Sequence, residues 1–181
     1  MNKILTIIII FLSTSVLSAN ERDAKLDKLF MELKNNITSS SPMIAQQIWS
    51  LWSTHPTDEK LTSILDEGSR LVQDRQLARA INVFTEVIKL DPTWAEAWNK
   101  RATVFYMVGE FDKSQDDIDK VLELEKRHFG ALAGQGMVNI QLKNYDKAKR
   151  SYQKVQEIYP AMKSPKVMIE QIEELIKRQS I

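Results

Sequence analysis

Cysteine is absent from the 181 residues. That excludes disulfides, thiol nucleophiles, cysteine-ligated zinc and a lipid-modified cysteine anchor, and it leaves apolar packing to hold the chain together. Histidine is nearly absent: His55 and His128 stand far apart, with no His-x-x-x-His pair and no neighbouring His-Glu. A metal centre needs converging ligands, so no metal is expected, and both rings read as solvent-facing turn residues. The few glycines, Gly68, Gly109, Gly130, Gly134 and Gly136, form neither a phosphate-cradling loop nor a Gly-x-Ser-x-Gly elbow. With no recognisable pairing of nucleophile and base, neither an enzyme nor a bound cofactor is expected. Net charge is missing as well. Lysine plus arginine number 25 against 24 acids, and removing a leader that holds Lys3 and no acid leaves 24 against 24. No basic field draws nucleic acid.

Long apolar runs are also scarce. The run Ile4 to Leu12, broken by Thr6, is nine residues long, short of the roughly 20 needed to cross a bilayer. Preceded by Lys3 and followed by the small and polar stretch Ser13 to Ala19, it reads as a signal peptide over residues 1–19, cut after Ala19. Export is therefore expected, with the periplasm as destination and no stable membrane span after cleavage.

What the chain does have is a period of 34. Residues 61–94, 95–128 and 129–162 align without insertion. The fourth position is Ile64, Trp98, Leu132; the eighth is Gly68, Ala102, Gly136, always small; the seventeenth is Leu77, Phe111, Tyr145; the twentieth is Ala80, Ser114, Ala148; the twenty-fourth is Phe84, Ile118, Tyr152. Large and small residues alternate as interlocking helices require. Pro92 and Pro160 stop the second helix of two copies, where the middle copy has Lys126. Gly109 reads as a left-handed helix end. A period of this size predicts stacked helical hairpins. The fold class is accordingly all-α: an α-solenoid of three hairpins, flanked by an N-terminal helical pair over residues 20–60 and a capping helix over residues 163–181. Leu26, Leu29, Phe30 and Leu33, then Ile44, Ile48, Trp49 and Trp52, give the pair two apolar stripes, and Ser41-Pro42 starts its second helix. This pair does not fit the 34-residue template and is expected to shield the first repeat. In the last helix Met168, Ile169, Ile172, Leu175 and Ile176 share one face.

The middle hundred residues resemble the tetratricopeptide repeat family. Departures from its pattern are Glu67, Arg101 and Gln135 at position seven, where leucine is usual, Asn139 at position eleven of the third copy, and Lys126 at the closing proline. The resemblance implies that the first helices line a concave groove in which peptides or partner helices lie. By position that groove presents Leu65, Ser69 and Val72, then Asn99, Thr103, Tyr106 and Met107, then Ala133, Met137, Ile140 and Gln141. Members that grip a chaperone's C-terminal carboxylate use a Lys-Asn-Asn-Lys-Arg clamp. Here those positions hold Leu65, Ser69, Lys100, Gly130 and Gly134, so that activity does not carry over. Periodicity does not separate a binding face from a buried one.

Two other features are read as bland. Asp116, Asp117 and Asp119 form a solvated helix face rather than a cation site, and Asn36-Ile37-Thr38 is a loop triplet rather than a glycosylation acceptor. The function expected is a non-catalytic scaffold that binds a protein or peptide in its groove. The second expectation is a self-assembling structural protein of the cell envelope, a homo-oligomer favoured by zero net charge and the apolar face of the last helix.

Overall fold

The computed structural model describes residues 21–35 and 40–179. The leader over residues 1–19 and the triplet Asn36-Ile37-Thr38 lie outside them. The described residues form helices joined by short turns, with no strand among them. In order these are α1 (residues 21–35), α2 (Ser41–Ser53), α3 (Glu59–Gln73), α4 (Leu77–Leu90), α5 (Ala95–Met107), α6 (Phe111–Leu124), α7 (Phe129–Gln141), α8 (Tyr145–Ile158) and α9 (Ser164–Gln179). The pairs α3/α4, α5/α6 and α7/α8 are the three hairpins, and each second helix starts at position seventeen of the repeat.

Within each hairpin the turn is built the same way. Position fifteen has positive φ in all three copies: 57° at Arg75, 81° at Gly109 and 59° at Lys143. The next amide in each case, on Gln76, Glu110 or Asn144, donates back to the carbonyl of Leu71, Phe105 or Asn139, the six-to-one bond of a helix that ends in a left-handed residue. Sequence flags this turn only at Gly109, because the other two copies put long cationic side chains in a conformation that glycine favours.

The small eighth position is dictated by the twenty-fourth. A Cβ on Gly136 would lie 2.5 Å from the Tyr152 ring, and one on Gly68 would strike Phe84. The middle hairpin has Ile118 instead of an aromatic ring and tolerates Ala102 there, both of them buried. Helix axes are thus brought to one close spacing by matched size, glycine under an aromatic ring and alanine under isoleucine.

Position seven, where the family pattern fails, carries a polar ladder. The Arg101 guanidinium donates to both Asp117 carboxylate oxygens at 2.8 and 2.7 Å, and to Thr85 Oγ1 at 3.0 Å. One repeat on, Gln135 Nε2 donates to Asp119 at 3.1 Å, while its Oε1 accepts from Ser151 Oγ at 2.9 Å. In both copies position seven reaches position twenty-three of its own hairpin and position twenty-five of the one before. The acidic cluster is therefore not simply a solvated face. Asp116 is exposed, but Asp117 is buried under Arg101, and burial pushes its carboxyl upward more than the guanidinium pulls it down.

The N-terminal pair corrects another expectation. It does not join the core of the first hairpin, which is Leu61, Leu65, Leu71, Phe84, Val87 and their neighbours. Leu26, Leu29, Phe30 and Leu33 of α1 and Ile44, Ile48 and Trp52 of α2 instead share a core with Phe129 and Leu132 of α7, Val155 of α8 and Tyr159 just beyond it. Arg127 in the turn before α7 holds α1 in place, its guanidinium 2.6 Å from Asp27 and stacked over Phe30. The reason is steric: α7 begins Phe-Gly-Ala-Leu-Ala-Gly, and this thin face admits two tryptophans from α2. At the other end α9 packs on α8, with Ile172 buried beside Ala148 and Tyr152.

Candidate functional site: the concave face

Both histidines lie in turns, yet neither faces solvent. His128 is 0% exposed, sandwiched with Trp52 at 4.0 Å between ring centroids. Its Nδ1 accepts from the Ala131 amide at 3.0 Å, capping α7. A backbone amide only donates, so the hydrogen sits on Nε2, which faces Glu96 Oε2 at 3.1 Å. Asn99 Nδ2 donates to the same oxygen, and Lys100 Nζ stands 3.3 Å from the other. His55 repeats the arrangement: Nδ1 accepts from the Asp58 amide, while Nε2 lies 2.8 Å from Asp91 Oδ2. Burial pushes the Asp91 carboxyl up, but hydrogen bonds from Thr93 and His55 outweigh it and hold the group below its usual range. These partners are not visible in the sequence because each carboxylate lies more than thirty residues from its histidine, 36 for Asp91 and 32 for Glu96. The two rings are the joints between the N-terminal pair and the solenoid, and no group of three potential metal ligands occurs among the described residues.

Position thirty-four proves more central than position four. Trp94, 5% exposed, donates its indole N–H to the Trp52 carbonyl at 2.8 Å and meets His55 edge-on. Trp98, at the interlocking fourth position, is only half-buried, under Arg101 and bonded to the Pro92 carbonyl.

With α2 laid across α5 and α7, part of the concave face is filled by the chain itself. What stays open is two adjoining cavities. One, about 320 Å³, lies between α3 and α5 and is lined by Ser69, Val72, Gln73, Asn99, Lys100 and Thr103, with Trp49 as an end wall. The other, about 90 Å³, lies between α5 and α7, where Ala102, Ile118, Ala131, Gly130 and Gly134 surround it beneath Thr103, Tyr106 and Met137. Asn99 and Thr103 belong to both.

Six of the eleven residues placed in the groove by sequence position therefore line open space: Ser69, Val72, Asn99, Thr103, Tyr106 and Met137. Met107, 49% exposed, and Gln141, whose amide points at the Tyr106 hydroxyl 3.5 Å away, stand on the adjoining rim. Two are corrected. Leu65 is 1% exposed in the first hairpin's core, and Ile140 packs beneath α9. Asn99, though it lines both cavities, is mostly buried and tied to Glu96. Among the lining residues that sequence position missed are Gln73, Lys100, Gly130, Gly134 and Trp49, the last of which comes from outside the repeats.

Comparison with known proteins agrees with this architecture. A tetratricopeptide repeat family model matches residues 130–162. A TPR repeat-containing protein of Rhizobium etli is 28% identical over 151 residues, 83% of this chain and 74% of that protein. Human sperm-associated antigen 1 is 26% identical over 121 residues, 66% of this chain, which spans only 13% of the human protein. Among solved structures, the first TPR of Spaghetti bound to an HSP90 peptide superposes with a TM-score of 0.64 at 18% identity, over 66% of this chain and 94% of that one.

Proposed function

Since this chain belongs to the tetratricopeptide repeat family, we propose that it is a non-catalytic scaffold whose concave face, narrowed by α2, binds a segment of a partner polypeptide. The observation that carries this is the pair of adjoining cavities on the first-helix face, left open beside the N-terminal pair. Apart from Lys100, which is paired with Glu96, their lining is apolar with amides and hydroxyls, groups that satisfy a peptide backbone without demanding one side chain, and the flexible Met137 suits varied apolar partners. A solved structure of the same fold, the first TPR of Spaghetti, is bound to an HSP90 peptide. We place this scaffold in the periplasm, on the strength of the leader-like residues 1–19.

A photo-crosslinking residue at Thr103, on the open face, compared with one at Lys120, on the convex side, tests the proposal in intact cells. Thr103 is expected to trap a discrete polypeptide that Lys120 does not. Equal trapping, or none at Thr103, overturns groove binding. Adducts confined to cytosolic proteins overturn export. Self-assembly draws little from α9, whose apolar stripe is taken up against α8. Light scattering that shows a stable dimer across micromolar concentrations would put it first.

A further inference from the structure

Three of the four glycines that lie in helices are explained by what crowds them. Gly68 and Gly136 sit under Phe84 and Tyr152, and a Cβ on Gly130 would lie 2.5 Å from the Trp49 ring. Gly134 is different. It lies in the interior of α7, where glycine is worse than alanine for helix stability, and a Cβ there would meet only Ile118 Cδ1 at an ordinary 3.5 Å. Nothing in the fold requires the missing side chain. What its absence does is keep open the cavity of about 90 Å³ between α5 and α7.

The neighbouring notch shows how such a space is filled. Gly130 and Gly134 are one turn apart on the same face of α7. At Gly130 the chain's own Trp49 lays its ring against the bare backbone, as part of the interface between α2 and α7. The Gly134 notch continues that interface and has no occupant of its own. Ala102, Ile118 and Ala131 make its floor apolar, and no charged side chain lines it. Charge complementarity therefore favours an uncharged group, and the volume suits an aliphatic side chain better than an indole.

We infer that Gly134 is a specificity-determining residue: it holds open a pocket that takes one aliphatic side chain, leucine-like or methionine-like, of a bound polypeptide, as Gly130 takes Trp49 within the chain. This deepens the groove proposal and rests on it.

The test uses N-acetyl-leucine amide as probe, followed by backbone NMR on the full chain, with the aspartate and tryptophan analogues as controls. The leucine analogue should shift the amides of Thr103, Gly134 and Met137, and the two controls should not. Gly134→Ala should raise Tm, as removal of an unneeded glycine does, and weaken the probe. Gly134→Leu fills the notch and should weaken it by about tenfold or more, the equivalent of roughly one displaced aliphatic contact. No localised shifts with the leucine analogue, equal shifts with the aspartate analogue, or undiminished binding to folded Gly134→Ala would each overturn the pocket. A partner trapped at Thr103 equally well by Gly134→Leu would remove the pocket and leave groove binding standing.

Discussion

Lys143 and Arg75 hold a left-handed backbone that costs a side-chain-bearing residue roughly 1 kcal/mol. Lys143→Gly is expected to stabilise the chain by up to about 1 kcal/mol, read as a higher urea midpoint at unchanged slope; a lower midpoint would show that the lysine side chain contributes more than its backbone loses. Tyr152 makes a second prediction. Burial pushes its hydroxyl pKa from 10.0 up to about 12, so the folded chain keeps the proton where the unfolded chain releases it. The resulting stability is intact below pH 10 and lost as pH rises toward 12. Thermal melts of the parent should drop across that window more steeply than those of Tyr152→Phe, and parallel curves would refute the assignment. Residues of this kind mark the boundary of what sequence shows. The size match of Gly136 with Tyr152 is visible in an aligned repeat. The left-handed Lys143 is not, because its conformation follows from where two helices must turn and not from its own preference.

Among the elements, the ladder at position seven links the first helices of the second and third hairpins, α5 and α7, each to two second helices. Arg101→Met would strand the Asp117 carboxylate in the protein interior and should cost about 3 to 5 kcal/mol near neutral pH. Burial already raises that carboxyl's pKa, and losing the guanidinium raises it further. Lowering the pH then protonates the stranded group and should narrow the gap between mutant and parent. The double variant Arg101→Met with Asp117→Leu should recover most of the loss in urea melts; failure to recover would mean that Arg101 acts through its stacking on Trp98. The helices themselves were legible, with the repeat frame giving their order, starts and interlocking faces. The ladder was not. A period exposes the apolar positions that recur, whereas here each repeat solves position seven with different polar groups, arginine with aspartate in one and glutamine with serine in the next. The placement of α1 and α2 was hidden for a related reason, since amphipathic stripes declare that a helix is buried and not against what.

For the whole molecule, α1 and α2 are fastened to the third repeat, so the solenoid is not a row of units that touch only their neighbours. Trp52→Ala should cost about 3 to 5 kcal/mol and speed hydrogen exchange in α7 and α8 as well as in α2. Exchange in the third repeat that stays at the parent rate would mean that the two regions open independently. The same fastening sets an order of events during synthesis. Asp27 and its partner Arg127 are 100 residues apart, and ribosomes add about 5 to 20 residues per second. α1 and α2 therefore wait on the order of ten seconds for the α7 and α8 surface that buries them, with Phe30, Trp49 and Trp52 uncovered on that side. During that interval the nascent chain is a natural client for a holding chaperone, and α1 and α2 complete their packing only once α7 and α8 have been made.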